Sequence, residues 1–236
     1  MLDPSTSAAA LRTAVRSALR RMTGRGPVPQ EDPGTTLYSC SRVTLPTPEA
    51  EHSADAFRRV MAVFPTAVTV VTSLDADGDP RGLTCSAVAS VSADPPLVAV
   101  CVNQRNGSLA AIRDSGGFAL NLLAAGSAHI SDTFASPSPA KFRSVRWRPS
   151  RVTGLPWLAH DTAAMLDCRL AADVEVATHA VLVGLVVDSA VGRCADAPLM
   201  YWQRAYGGWS PAVMPPGAAS APAPARSAAG AGSPAR

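Results

Sequence analysis

The sequence predicts a mainly β protein with short helices, its strands closed into a barrel rather than laid out as an open parallel sheet. Three observations carry this. Long runs at residues 66–74, 163–176 and 179–189 are rich in β-branched and small apolar residues on both faces. They are joined by hairpin-type segments and short helical stretches, without the strand–helix alternation of a doubly wound sheet. No G-x-G-x-x-G follows a strand, which argues against a Rossmann nucleotide site.

Taken in order, residues 1–52 read as an extension. Arg12, Arg16, Arg20 and Arg21 alternate with Leu11, Val15 and Leu19 over 8–22, the spacing of a short basic amphipathic helix. A transit peptide or a membrane-surface segment has a similar look; a solvated extension with a Pro/Gly/Thr linker is the simpler reading. The folded unit spans 53–209. Ser53 caps a helix whose apolar positions Phe57, Val60, Met61 and Phe64 repeat at i, i+3, i+4 and i+7, and Pro65 ends it. The strand at 66–74 leads into a hairpin turn, Asp75 to Pro80. Strands at 82–92 and 97–102 are separated by Asp94-Pro95-Pro96. A helix at 108–114 stops at Gly116-Gly117, and a strand at 118–123 and a short helix at 127–134 follow. Two long strands at 163–176 and 179–189 and a short one at 199–202 complete the unit. From Ser210 the chain is almost wholly Ala, Pro, Gly and Ser with two arginines, too poor in apolar surface to offset its ordering entropy.

Composition bounds the function. At 236 residues and 47% apolar content the chain can build one sizeable core, and its formal charge of +3 is close to balance. Lys141 is the single lysine, and the arginines are dispersed, so no basic stripe suggests nucleic acid. No run is long enough to span a bilayer and no secretory h-region opens the chain, so a cytoplasmic protein is expected. Cys40, Cys85, Cys101, Cys168 and Cys194 show no metal-ligand spacing and read as reduced thiols. The G-x-S-x-G, H-E-x-x-H and P-loop patterns are absent. Carboxylates within the apolar strands are few: Asp167, Asp173 and Glu175. An enzyme so poor in acids and bases needs a cofactor to carry its chemistry, although a binding protein would look the same.

One stretch invites a ligand. Residues 82–92 place small and hydroxyl side chains along a strand, where a flat ring can lie against backbone and its polar edge meet amides and hydroxyls. Close packing against a neighbouring element explains the same composition.

The order of several separated motifs then resembles the flavin-reductase-like family. They are Phe57-Arg58, Thr69 to Thr72, Gly82-Leu83-Thr84-Cys85-Ser86, Ser90 to Leu97, Phe118 to Leu123, Phe134, Lys141-Phe142, Trp147, Gly154 to Leu158, Asp167-Cys168, His179 with Val183-Gly184, and Pro198 to Tyr201. The resemblance implies an FMN-binding split β-barrel of Greek-key-like layout and a homodimer with flavin near the dimer interface. It implies hydride transfer from NADH or NADPH to FMN or FAD, and delivery of reduced flavin to a partner monooxygenase or halogenase, with no nucleic acid or membrane involved. Carried over by residue, Gly82, Leu83, Thr84, Cys85 and Ser86 line the isoalloxazine ring, and Cys101, Val102 and Asn103 pass beneath ring and ribityl chain. Ser108 meets the flavin phosphate at a helix start, and His179 stands near the nicotinamide. Three departures are visible. Ala87-Val88 stand where relatives often carry Ser-Phe, Ala177-Thr178-His179 where they carry Gly-Asp-His, and Gln104-Arg105-Asn106-Gly107 differs from the common versions of the phosphate-side loop. Trp147, Trp157 and Trp202 read as packing anchors, with Trp202 or Tyr206 able to approach a ligand. The alternatives are a pyridoxamine-phosphate-oxidase-like or deazaflavin-dependent enzyme on the same barrel, or a non-catalytic flavin-binding protein.

Overall fold

The computed structural model describes residues 39–43, 53–192 and 197–209. The basic segment expected at 8–22 and the tail from Ser210 lie outside them. Within the expected extension, β1 (Ser39–Val43) pairs in parallel with Ala172–Val176, so this short piece joins the main sheet.

Helix α1 (Ala54–Ala62) starts where the sequence predicts, with the Ser53 hydroxyl accepting from the Ala56 amide at 3.1 Å. The predicted strand at 66–74 divides at Val68. Its first part, β2 (Thr66–Ala67), pairs with β12 (Leu199–Trp202) in a small sheet completed by β13 (Ala205–Gly208). Its second part, β3 (Thr69–Leu74), pairs with β4 (Pro80–Cys85) across the predicted turn. There Asp75 accepts from the Asp77 and Asp79 amides at 3.1 and 2.8 Å, an Asx-type closure. The predicted strand at 82–92 also divides, into β4 and β5 (Val88–Ala93), with Ser86-Ala87 between.

The remaining elements are β6 (Pro96–Asn103), α2 (Ser108–Ser115), β7 (Gly117–Leu123), α3 (Ala128–Ala135), a 3-10 turn (Lys141–Arg143), β8 (Arg148–Pro149), β9 (Pro156–Trp157), β10 (Thr162–Val176) and β11 (His179–Val191). Gly116 ends α2 at φ 67°, a left-handed cap that a side chain would strain.

The main sheet runs β4-β3-β7-β10-β11-β6-β5. Its first and last members, β4 and β5, are consecutive in the chain; the Cys101 amide of β6 donates to the Ala87 carbonyl at 3.0 Å and the Cys85 thiol of β4 to the Cys101 carbonyl at 3.5 Å, which brings β4 back against β6. The sheet thereby curls into a split barrel. Its interior holds Val98, Val100, Val102, Phe118, Leu120 and Leu182, with Leu109 and Ile112 of α2 packed against them. A second cluster, including Val68, Val70, Ile130, Phe134, Val145 and Leu158, packs α3 outside β3 and β7. The strand carboxylates serve this frame. Asp167 is held by the Thr153 amide and hydroxyl, and buried Asp173 pairs with Arg113 at 2.7 Å. Glu175 accepts from Arg42 of β1.

Candidate flavin site

The crossover at Ser86-Ala87 is where the barrel wall opens. Ser86 and Ala87 are exposed, and Ser86, Val88, Ser90 and Ser92 point along one side of a groove of about 600 Å³. The opposite side is apolar, from Leu122, Leu166 and Val186, and Phe64 and Pro65 close one margin. The groove therefore offers hydroxyls along one edge and a hydrocarbon floor, the character of a site for a flat heteroaromatic ring.

The preceding half of the segment is built differently. Leu83 and Cys85 belong to the barrel core, so only their backbone can face a ligand. A Cβ at Gly82 would stand 2.8 Å from Phe134 Cε1 and 3.1 Å from the Val71 carbonyl, so packing against α3 already requires glycine there. The Lys141 ammonium donates to the carbonyls of Gly82 and Phe134 at 3.1 and 2.8 Å, and burial lowers its pKa. Thr84 donates to the Ser131 carbonyl at 2.6 Å. Burial pushes the Cys85 thiol pKa up, so it is an inert core residue.

Cys101, Val102 and Asn103 lie at the end of β6 beside this crossover. Cys101 is half-buried, Val102 is in the core and Asn103 is exposed. Asn103 stands opposite His179 in the β6–β11 ladder. His179 is exposed, with its Nδ1 2.9 Å from the Thr178 hydroxyl, which excludes the core role a lone strand histidine often has. Ser108 is buried at the start of α2, but its amide already donates to the Asn106 side chain at 3.0 Å, and the Leu109 amide to the Asn106 carbonyl at 3.0 Å. Both amides are thereby already engaged by Asn106.

The crossover, the end of β6, the loop into α2 and the β10–β11 tip are thus neighbours through the ladder. The groove extends away from His179 along β5, and of the predicted residues only Ser86 lines it. The groove's other walls, from β7, β10 and β11, escape sequence reading because they converge from distant parts of the chain. Trp157 is buried, as an anchor should be, its Nε1 donating to Thr162 at 3.1 Å. Trp202 is half-exposed and donates to the Val63 carbonyl at 3.1 Å, and Tyr206 donates to Asp132 at 2.8 Å.

Residues 61–210 match the model of the flavin reductase like domain. The chain belongs to the flavin-reductase-like family. It is 43% identical over 155 residues to a flavin reductase (NADH) of Kitasatospora aureofaciens, covering 66% of this chain and 81% of that one. It is 39% identical over 164 residues to a flavin reductase (NADPH) of Lentzea aerocolonigenes, covering 70% of this chain and 95% of the relative. The crystal structure of nitrilotriacetate monooxygenase component B from Mycobacterium thermoresistibile superposes with a TM-score of 0.64 at 34% identity, covering 69% of this chain and 89% of that one. Among the described residues no helix is long and apolar enough to cross a membrane.

Proposed function

We propose that this flavin-reductase-family chain reduces FMN or FAD with NADH or NADPH, and that its reduced flavin supplies a partner monooxygenase or halogenase. The observation that carries the reading is the open Ser86-Ala87 crossover, which leads on one side into a ring-sized groove along β5 and on the other to the end of β6, where the exposed His179 stands opposite Asn103. Bound flavin supplies the hydride-accepting ring; the chain supplies alignment and exclusion of water, which need no strong acid or base.

Each residue then has a limited task. Gly82, Leu83, Thr84 and Cys85 offer backbone and one hydroxyl to the ring edge, and Ser86 a free hydroxyl. Cys101, Val102 and Asn103 support the ring and ribityl chain, and the Ser108 hydroxyl faces the phosphate. His179 positions the nicotinamide. Gln104 supports this arrangement, because its side-chain amide donates to the carbonyls of Ala177 and His179 at 3.2 and 3.3 Å and so fastens the phosphate loop to the histidine hairpin.

A homodimer belongs to the same proposal. The apolar face of α1 is turned outward, with Phe57, Val60, Met61 and Phe64 exposed by 57, 63, 45 and 62%. Its polar side, Asp55, Arg58, Arg59 and Ala62, faces a pocket shared with the β12–β13 turn. A helix presenting its apolar stripe to water is built to be covered, and Phe64 links that stripe to the groove. A cytoplasmic location completes the proposal.

The test is turnover by the full chain. NAD(P)H oxidation should rise with added FMN or FAD and saturate. Flavin binding without turnover would instead make the chain a binding module.

A further inference from the structure

One transverse row of the main sheet joins a segment outside the family match to the candidate site. β7 pairs with β10 as far as Arg169, and β1 takes the β10 edge from Ala172 to Val176. Val43 thereby stands beside Val176, Val176 beside His179, and His179 beside Asn103, one residue each from β1, β10, β11 and β6. Two strand spacings, about 10 Å, separate the backbones of Val43 and His179. Residues 39–43 precede the 61–210 stretch that matches the family domain, so this fourth member of the row is supplied from outside it.

The hairpin at the centre of the row needs holding. Ala177 is left-handed at φ 50°, a conformation that costs an alanine free energy and persists where its surroundings fix it. From the β6 side Gln104 does so, its backbone amide donating to the Thr178 carbonyl at 3.0 Å and its side chain to the carbonyls of Ala177 and His179. From the other side β1 holds β10. Arg42 Nε and Nη2 both bond Glu175 Oε2, at 2.8 and 2.5 Å, next to Val176. Arg113 of α2 lies 3.6 Å from Glu175 Oε1 but is anchored on buried Asp173 at 2.7 Å. Helix α2, which begins at Ser108, is thus fastened to β10 without Arg42.

We propose that β1 is a strap that positions His179 for the nicotinamide, acting through Val176 and the Ala177-Thr178 turn. The inference rests on the reading of His179 as the nicotinamide-positioning residue. It assigns the strap to the dinucleotide side of the reaction and leaves the flavin side to α2 and its Asp173 anchor. Ser41, Arg42 and Val43 are exposed, so changing them leaves the barrel core intact. An exposed ion pair contributes little by itself; the backbone ladder carries most of the hold.

The test uses the full chain with Ser41→Pro and Arg42→Pro together, which removes an amide donor whichever of the two faces β10. KM for the nicotinamide dinucleotide should rise about fivefold or more, the scale of a lost ladder hydrogen bond. KM for FMN should stay near that of the wild type, with an unaltered circular dichroism spectrum. Amide hydrogen exchange over residues 174–180 should quicken. Arg42→Glu should raise the same KM to a smaller extent, and Arg42→Lys should restore it. In a His179→Ala chain the proline pair should add little, because the two act through one contact. Equal rises in both KM values, no rise in either, or full additivity with His179→Ala overturns the proposal. The two possible failures are separate: His179→Ala without effect on either KM strikes the histidine reading, and hairpin exchange unchanged by the proline pair strikes the strap.

Discussion

Asn103 and His179 face each other as the closing pair of the β6–β11 ladder, and Gln104, the next residue along, bonds back to the His179 carbonyl at 3.3 Å. The loop that leads to Ser108 and the hairpin that carries His179 are therefore one mechanical unit. A ligand held by one end is aligned by the other.

His179→Ala should raise the apparent KM for the nicotinamide roughly 5- to 20-fold, the cost of about one lost hydrogen bond to a polar ligand, with a smaller change for flavin. An equal effect on both substrates, or none, would leave His179 with a structural role only. Gln104→Ala should move both constants by loosening the shared support.

Ser108→Asp should weaken flavin mononucleotide binding by about tenfold or more, because a carboxylate replaces a hydroxyl next to the proposed phosphate. Riboflavin, which has no phosphate, should be spared. Equal affinities for flavin mononucleotide before and after the change would remove Ser108 from the site.

Gly82→Ala separates packing from ligand contact. Its Cβ would meet Phe134 Cε1 at 2.8 Å, so overpacking should cost about 1–3 kcal/mol, read as a lowered thermal midpoint. Phe134→Leu in the same chain should recover part of that loss, since neighbours in contact are coupled. If the single change leaves stability intact but abolishes flavin binding, the glycine serves the ring instead.

How far the sequence could be read follows from such cases. Ser53 and Gly116 act locally, so a cap and a left-handed terminus are visible in a few residues. The splitting of 66–74 at Val68 and of 82–92 at Ser86-Ala87 was not visible, because each break comes from partners far along the chain: Leu199 for the first, Cys101 for the second. The small residues at 82–92 carried two messages at once. Gly82 answers to Phe134, while Ser86, Ser90 and Ser92 answer to the groove. The amphipathic period of α1 was plain, but periodicity assigns a stripe without saying which way it faces, and here it faces out. Ser108 matched the family pattern, yet the capture of its amide by Asn106 depends on loop geometry that composition does not encode.

The outward stripe of α1 gives a direct test of assembly. Phe57→Glu with Phe64→Glu should convert a dimer to a monomer by light scattering while preserving the far-ultraviolet spectrum, because both side chains are already exposed within one chain. A wild-type monomer, or a dimer indifferent to both charges, would place the interface elsewhere or abolish it.

Alkaline stability should report the sealed thiols. Burial raises the pKa of Cys168, with the neighbouring Asp167 carboxylate adding to the effect, and burial raises that of Cys85 as well. In the unfolded chain a thiol loses its proton near its ordinary pKa of 9.0; in the folded chain these two keep theirs. The folded state then binds more protons than the unfolded one, so the stability they contribute is complete below pH 9 and is lost as pH rises above it. Each thiol steepens the decline by up to about 1.4 kcal/mol per pH unit. Urea midpoints measured from pH 8 to 10.5 should fall with a slope that Cys168→Ala reduces, whatever that substitution costs at pH 8. A slope unchanged by the substitution would mean that water reaches Cys168, against a position sealed between Phe118 and Gly184 on neighbouring strands.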